Sequence, residues 1–494
     1  MILRNINIQY KWLLILLAFG FIACESDDDA TTPIPEVITP GSADFSKFVS
    51  LGNSLTAGFT DGALFIAGQE NSMPNILAQQ FALAGGGSFT QPLMNDNIGG
   101  ALLGGTQILS SRLFFNGSGP AVLPANPTTE ITNTISGPFN NMGIPGAKSF
   151  HLLAPGYGNV AGVATGQANP YFARMASSST ATVLEDAMAQ SPTFFSLWIG
   201  NNDVLGYATS GGDGTDPITD LTLFTQSYNG LVATLTSGGA KGVVANIPNV
   251  TSIPHFTTVP HNPVPLDAAT AAAVNGAYAA YNGGIVQAFA GLVMAGAISQ
   301  EDADAEIARR TISFTAGEGN AVVILDEDLT DLTGLNPALV NMRQATADDL
   351  LVLPASSFIG TLADPQNPLS VNGVAIPLAD NWVLTPEEQQ EIATATEAFN
   401  NVISSAVQQA GLAFIDANSS LAELAQNGIQ FDEFLLQGNL VFGGAFSLDG
   451  VHPTARGYAF VSNLAIDAIN TTYGSNLPKV KAANYPTFYS ATLQ

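Results

Sequence analysis

The sequence predicts an α/β fold with a parallel β-sheet whose strands are connected by helices. Four short apolar runs have the length and composition of buried strands, and they cover residues 45–51, 193–199, 242–247 and 412–416. Helical patterns occupy residues 73–84, 183–190, 224–238, 385–411 and 454–473. Strands that alternate with helices favour βαβ units and therefore a parallel sheet.

Individual signals delimit several of these elements. The strand at 45–51 stops at a Gly-Asn-Ser corner, and the strand at 193–199 stops at Gly-Asn-Asn-Asp. The helix at 385–411 begins with a Thr-Pro-Glu-Glu capping box and ends at Gly411. Because ligands bind beyond the carboxyl ends of parallel strands, we expect the polar corners to meet at one edge of the sheet.

Two regions interrupt the alternation. Residues 85–140 are rich in Gly, Asn, Pro and Ser, which predicts long irregular loops. Residues 262–383 contain two predicted helices, 265–297 and 301–310, a predicted hairpin at 312–326 with its turn at 315–319, and a mixed remainder. We interpret 262–383 as an insertion or small subdomain of a folded region that spans 43–475, and 476–494 as a C-terminal tail without a clear pattern.

Composition restricts the partners of the chain. It has 494 residues, of which 46% are hydrophobic and 11% charged, as expected of a globular protein. Only 13 residues are Lys or Arg and the net charge is −27, so the chain lacks the basic residues that a nucleic-acid partner requires. Solubility alone explains the acidic excess, and neutral substrates suit it better than anionic ones.

The first 24 residues predict a signal peptide. Arg4 and Lys11 precede an uncharged run at 12–23, which is too short to span a bilayer comfortably. The run ends in Phe-Ile-Ala-Cys, which resembles a bacterial lipobox whose cysteine, here Cys24, becomes the lipidated first residue. Cys24 is the only cysteine, so no intramolecular disulfide is possible. The alternative is an ordinary cleaved signal peptide with an incidental cysteine.

Residues 25–42 predict a tether, because an acidic run is followed by spaced prolines. The acidic run resembles the export signals of surface lipoproteins in Bacteroidetes-type bacteria. This resemblance implies an exported protein that is lipid-anchored to the bacterial outer membrane through Cys24 and exposed at the surface. The alternative is a solvated spacer with no signalling role.

Three corners and one later segment contain the residues of a nucleophilic site. Ser54 follows the first strand, and a serine hydroxyl needs a base to remove its proton. His452 lies three residues after Asp449, a spacing that can place the carboxylate beside the imidazole. Gly146 and Asn202 offer hydrogen-bond donors for an oxyanion, together with the Ser54 N–H.

Each of these residues also has an ordinary structural explanation. Ser54 or Asp449 could cap a helix, with His452 incidental. Gly146 could serve only the geometry of a turn, and Asn202 could bond to its own backbone.

Four segments resemble the conserved blocks of the GDSL or SGNH hydrolase family: LGNSLT at 51–56, NMGIPGA at 141–147, GNND at 200–203 and DGVH at 449–452. The resemblance implies a flavodoxin-like α/β/α three-layer sandwich that hydrolyses esters without a cofactor. It also implies that Ser54, His452 and Asp449 form a triad, with Ser54, Gly146 and Asn202 in the oxyanion hole. Asn53 departs from the usual aspartate, and residues 262–383 have no counterpart in compact members.

The predicted function is therefore a serine esterase or lipase acting on a small-molecule or glycan ester, with no obligate protein partner. Two alternatives use the same fold: a carbohydrate O-deacetylase, and a non-catalytic surface lipoprotein that binds glycan or a partner. His255 and His261 follow the third strand, but no His-Glu-x-x-His spacing accompanies them, so no metal is expected. We interpret His151 as structural.

Overall fold

The computed structural model describes residues 37–494, and residues 39–494 form one compact unit. The predicted signal peptide, Cys24 and most of the tether lie outside the described residues. Between residues 37 and 494, no helix combines the length and apolar character needed to cross a membrane.

A five-stranded parallel sheet is the centre of the fold. Its strands are β1 (Phe48–Gly52), β6 (Asn141–Gly143), β7 (Phe194–Trp198), β8 (Lys241–Ala245) and β15 (Ala413–Ile415). They are arranged in the order β15-β8-β7-β1-β6, and all four neighbouring pairs are parallel. The four predicted strands are confirmed within a few residues, as is the parallel sheet.

The prediction missed the fifth strand of the sheet, β6. The sequence predicts no strand at residues 141–143, yet they pair with Ser50–Gly52 of β1. Asn and Gly have low β-propensity, and three residues are too few to show an alternating pattern. The neighbouring strand β1 therefore determines this conformation.

Helices cover both faces of the sheet. All residues of β1 and β7 are buried, as expected of parallel strands with packing on both sides. The fifteen α-helices of the described chain are α1 (Ser54–Ala57), α2 (Ile66–Glu70), α3 (Met73–Ala82), α4 (Val160–Val163), α5 (Pro170–Met175), α6 (Val183–Met188), α7 (Asn202–Thr209), α8 (Leu221–Thr236), α9 (Pro254–Thr257), α10 (Ala268–Met294), α11 (Gln300–Arg310), α12 (Ala355–Phe358), α13 (Pro386–Ala410), α14 (Ala417–Asn427) and α15 (Ala455–Tyr473).

Aromatic side chains join the helices to the sheet. Phe194 of β7 packs edge-on against Phe81 of α3 and Tyr473 of α15, at centroid distances of 5.4 and 5.8 Å. Phe224 of α8 stacks on Phe399 of α13 at 4.0 Å. The predicted capping box of α13 is present.

The regions outside the sheet contain more strands than predicted. Two short hairpins occupy the supposedly irregular 85–140 segment, and another follows α14. The remaining strands are β2 (Ala101–Leu103), β3 (Thr106–Leu109), β4 (Leu113–Phe115), β5 (Pro120–Val122), β9 (Val264–Leu266), β10 (Gly317–Asn320), β11 (Val323–Leu325), β12 (Met342–Gln344), β13 (Leu350–Leu351), β14 (Val383–Leu384), β16 (Ile429–Phe431) and β17 (Phe434–Leu436).

The predicted hairpin at 312–326 is wrong. β10 pairs with β9 and β11 pairs with β12, so each arm has a partner elsewhere in the chain. A local pattern identifies a strand, but it does not contain the identity of a distant partner.

The C-terminal tail packs onto the folded unit through Arg112, whose side chain is fully buried. The guanidinium donates to the carbonyl oxygens of Tyr489, Ser490 and Leu493 at 3.3, 2.6 and 2.9 Å. It also donates to the Asn97 carbonyl at 2.7 Å. A buried charge needs such acceptors, so the tail contributes to the stability of the 97–113 segment.

Removal of residues 486–494 should lower the free energy of unfolding by roughly 3–5 kcal/mol, because Arg112 then keeps its charge without these acceptors. Urea unfolding of the intact and truncated proteins measures this loss. The same truncation in an Arg112→Met background should cost much less, since no buried charge remains. Equal losses in both backgrounds would show that Arg112 does not hold the tail.

Candidate active site

Three adjacent strands deliver the predicted site residues to one edge of the sheet. Ser54 follows β1, Gly146 follows β6, and Asn202 opens α7 after β7. In the sheet, β6 lies on one side of β1 and β7 lies on the other. The chain connections on the two sides of β1 therefore lead in opposite directions. Such a divergence leaves a crevice at the carboxyl ends of parallel strands, where ligands bind.

Asn53, and not Ser54, caps the first turn of α1. The Asn53 oxygen accepts the Leu55 N–H at 3.0 Å, and its Nδ2 donates to Asn201 Oδ1 at 3.1 Å. Asn53 is fully buried, while Ser54 is the first helical residue. The hydroxyl of Ser54 is consequently not needed as a cap.

Ser54, His452 and Asp449 form a continuous chain of hydrogen bonds. His452 Nε2 lies 2.9 Å from Ser54 Oγ, and His452 Nδ1 lies 2.9 Å from Asp449 Oδ2. The cap of α15 is Thr454, so Asp449 does not have the alternative role as a helix cap. The ring of Phe59 packs at 4.6 Å from the imidazole and restricts its position.

The carboxylate of Asp449 is held in its charged form. Its Oδ1 accepts from Ser447 Oγ and from the Val451 and His452 N–H groups at 3.0, 2.8 and 2.9 Å. Its Oδ2 also accepts the Gly62 N–H at 2.8 Å. Burial alone would raise the pKa of Asp449, but His452 and these hydrogen bonds outweigh it and hold the pKa well below its usual range.

A second buried carboxylate, Asp61, supports the Asp449 loop, and the sequence prediction missed it. Asp61 Oδ1 accepts the Leu448 N–H at 3.0 Å, and the Asp61 N–H donates to Ser447 Oγ at 2.9 Å. Burial, opposed by the Leu448 hydrogen bond and assisted by the Asp449 charge, raises the pKa of Asp61 to about 7. The backbone of Asp61 is left-handed, with φ of +52°. The dipeptide Asp61-Gly62 is typical of turns, and this was the signal in the sequence that pointed to it.

Each of the three donors predicted for an oxyanion has an N–H hydrogen that makes no hydrogen bond in the described chain. The N–H groups of Ser54 and Gly146 make no hydrogen bond within residues 37–494. Asn202 Nδ2 donates to the Ala147 carbonyl at 2.9 Å, which uses one of its two hydrogens. Asn202 therefore binds the Gly146 turn and not its own backbone. Gly146 has φ of +81°, a conformation that glycine adopts without strain.

The segment after β7 fastens these parts to one another. Asn201 bonds to Asn53 beside the serine, and Asn202 bonds to the turn after β6. Asp203 accepts the Ser149 N–H and hydroxyl, both at 2.8 Å. Three consecutive side chains thus connect β7 to both sides of the site. The arrangement is pre-organised, which is what stabilisation of a developing charge requires.

An apolar cavity of about 110 Å³ adjoins the triad. Leu55, which follows Ser54, and Val451 and Pro453, which flank His452, contribute to its lining. Other lining residues are Trp198, Ile253, Leu421, Val461 and Leu464. A cavity of about 980 Å³ lies elsewhere, lined by Ser46 and Lys47 at the opposite end of β1.

The remaining histidines lie outside the triad. His255 lies in the short helix α9, and its backbone N–H donates to the Gly450 carbonyl at 2.9 Å. His151 accepts the Lys148 N–H at 3.0 Å and stacks on Tyr157 at 4.5 Å, which agrees with a structural role. His255 therefore contacts the loop at 447–452 through its backbone.

Comparisons with protein-family models, with curated proteins and with solved structures found no match. The chemistry proposed below therefore rests on the geometry of the site and on the four sequence motifs.

The Asp61→Asn variant should change how stability depends on pH. The folded state raises the pKa of Asp61 from 3.8 to about 7, so it holds this proton more tightly than the unfolded state. The contribution of this proton to the free energy of unfolding is fully present below about pH 4 and is lost as the pH rises towards 7. Asparagine does not ionise, so the variant should gain up to roughly 4 kcal/mol relative to wild type across this interval.

Urea unfolding at pH 4, 5.5 and 7 measures this difference, and Asp364→Asn at an exposed position is the control. Parallel pH curves for wild type and Asp61→Asn would contradict a buried, protonated Asp61.

Proposed function

We propose that this protein is a serine hydrolase of the SGNH type that cleaves carboxylic esters. The hydrogen-bonded chain from Ser54 through His452 to Asp449 carries the proposal. The N–H groups of Ser54 and Gly146, together with the second amide hydrogen of Asn202, would supply the oxyanion site of an acyl-transfer enzyme. Hydrolysis of an ester needs a nucleophile, a base and an oxyanion site, and each has a candidate here.

The sheet order supports the family assignment. If the five strands are numbered by their order in the sequence, they lie across the sheet in the order 2-1-3-4-5. This is the strand order of flavodoxin-like doubly wound sheets. Helices on both faces would complete an α/β/α sandwich. Three of the four segments that resemble family blocks span or follow the carboxyl ends of β1, β6 and β7, and the fourth lies in the loop that reaches them, as catalytic motifs of such a fold should.

In the first half of the reaction, His452 Nε2 removes the hydroxyl proton of Ser54 as the oxygen attacks the ester carbonyl. Asp449 keeps the Nδ1 proton of the imidazole in place and stabilises the imidazolium. The carbonyl oxygen becomes negative and receives hydrogen bonds from the Ser54 N–H, the Gly146 N–H and the Asn202 amide. When the tetrahedral intermediate collapses, the C–O bond to the alcohol breaks and His452 gives its proton to the leaving oxygen.

The second half repeats these steps with water. His452 takes a proton from water, whose oxygen attacks the acyl-serine carbonyl, and the same donors hold the oxyanion. The bond from the acyl carbon to Ser54 Oγ then breaks, and the proton returns to Ser54. One water is consumed, and one acid and one alcohol are released, with no cofactor required.

Asn53 suits this mechanism although aspartate is usual at its position. Its side chain is fully buried, and the amide can cap α1 through oxygen while it donates to Asn201 through nitrogen. A carboxylate has no such donor and would add a buried charge. Asparagine thus preserves the position of Ser54, and Asp449 remains the charged partner of His452.

The apolar cavity is the proposed site of the acyl chain. Its volume of about 110 Å³ equals that of roughly four water molecules, so it suits a chain of a few carbons. This reading favours short-chain esters over acetate alone, although acetylated glycans remain an alternative substrate class.

We also propose that the protein is an exported lipoprotein. Lipidation of Cys24 would anchor it to the outer membrane, and residues 25–42 would hold the hydrolase domain away from the bilayer. This proposal rests on the sequence motifs at the N-terminus.

Ser54→Ala should lower kcat/KM for 4-nitrophenyl butyrate by at least about 10³-fold, because the nucleophile is lost. Wild type, but not Ser54→Ala, should be labelled by a serine-directed phosphonate. Ser313→Ala, an exposed serine, is the matched control and should keep full activity. Equal turnover by Ser54→Ala and wild type would exclude this nucleophile.

Absence of both turnover and labelling in the wild type would favour the non-catalytic binding protein. Acetate release from an acetylated polysaccharide without butyrate hydrolysis would favour the deacetylase.

Val461→Trp should shorten the preferred acyl chain, because the indole occupies cavity space that the substrate would use. We expect kcat/KM for the 4-nitrophenyl hexanoate ester to fall roughly tenfold or more, since about 0.8 kcal/mol is lost per methylene left unburied. Activity on the acetate ester should be unchanged. Val286→Trp, on an exposed part of α10, is the control. Equal losses on both esters would refute the assignment of the acyl chain to this cavity.

A further inference from the structure

Three carboxylates from separate segments meet on the side of the molecule where α13 begins. Glu327 follows β11, Asp380 opens the short 3₁₀-helix Asp380–Trp382, and Glu388 lies in the first turn of α13. One oxygen from each of the three lies within 4.8 Å of the others. Three like charges at this spacing repel one another strongly unless something neutralises them.

Glu388 provides an independent reason to expect a ligand. Its side chain is only 3% exposed, and its Oε2 accepts the Thr385 N–H and hydroxyl at 2.6 and 2.9 Å. Its Oε1 is buried and has no hydrogen-bond partner in the described chain. A buried carboxylate oxygen without a partner carries a large desolvation cost, so it calls for a proton or a cation.

The backbone around Glu388 leaves room for this oxygen. Gly212, in the loop that follows α7, lies so close that a Cβ there would be 2.0 Å from Oε1. The preceding Gly211 packs equally closely on the Asp380 carbonyl oxygen, at 2.2 Å from its own hypothetical Cβ. Two consecutive glycines therefore allow the loop to close over the carboxylates.

No cationic side chain neutralises the cluster. Within residues 37–494, no Lys, Arg or His forms an ion pair with Glu327, Asp380 or Glu388. Arg309 pairs instead with Asp326 and Glu387. Within the described residues, the protein therefore supplies no positive charge to offset the repulsion among the three carboxylates.

We propose that Glu327, Asp380 and Glu388 bind a calcium ion. Calcium takes carboxylate oxygens at about 2.3–2.6 Å, so two oxygens that share one ion lie no more than about 5 Å apart, as these do. Glu327 is exposed, which leaves an open side where waters complete the coordination shell. Calcium tolerates such an irregular mixture of ligands, whereas magnesium demands near-ideal octahedral geometry.

The ion would join three parts of the fold. Glu327 and Asp380 belong to the region at 262–383, and Glu388 belongs to α13. The loop at Gly211 and Gly212 ends α7, the helix whose first residue is Asn202. Calcium would thus brace the far end of the helix that carries an oxyanion donor. Its binding does not depend on ester hydrolysis.

Calcium titration of the full-length protein tests this site. After treatment with a chelator, wild type should bind one Ca²⁺ per chain by isothermal titration calorimetry with CaCl₂. A hundredfold excess of CaCl₂ over Kd should raise the melting temperature by about 3 °C. Glu327→Gln should weaken Ca²⁺ binding at least tenfold. Because Glu327 is exposed, the variant should fold like wild type. Glu318→Gln, also exposed and without side-chain partners, is the matched control and should respond like wild type.

Three results would overturn the proposal. The first is no heat of binding and no thermal shift in wild type at 10 mM CaCl₂, which would mean that protons neutralise the cluster. The second is an equal calcium response in wild type and Glu327→Gln, which would place the ion elsewhere. The third is an equally strong response to MgCl₂, which would contradict the assignment to calcium.

Discussion

The hydrogen bonds around the Asp449 carboxylate are the interaction on which the site depends. One oxygen accepts from Ser447 and from two backbone N–H groups of its own loop, and the other accepts from Gly62 and His452. A single side chain thus shapes the 447–452 loop, joins it to the turn after α1 and orients the base. Because these partners favour the charged form, the carboxylate remains available to stabilise an imidazolium.

The sheet supplies the second constraint. Ser54, Gly146 and Asn202 come from the ends of three neighbouring strands, so the rigid ladder sets their spacing. Side chains after β7 then bind the two flanking corners to each other. A site built in this way loses little entropy when it holds a developing charge, because its donors are already in place.

The chain has 40 Asp and Glu residues but only 13 Lys and Arg residues, and its buried carboxylates are stabilised in several ways. Asp449 relies on hydrogen bonds, and burial raises the pKa of Asp61 to about 7, which favours its neutral form. Arg343 forms a bidentate pair with Asp349, at 2.7 Å for both bonds, and also binds Asp326. At Glu388, one oxygen accepts hydrogen bonds from Thr385, but the other has no partner in the described chain, and this is the basis of the cation proposed there.

The sequence by itself determined four of the five strands of the sheet, the principal helices and the candidate residues Ser54, His452 and Asp449. These features are encoded locally: by apolar periodicity, by capping residues such as Thr385, and by the spacing of Asp449 and His452. It did not predict β6, the partners of β10 and β11, the support from Asp61 or the meeting of Glu327 with Glu388. Only the tertiary structure decided these, because each depends on residues distant in the chain, and a local pattern contains no information about which distant residue will lie beside it.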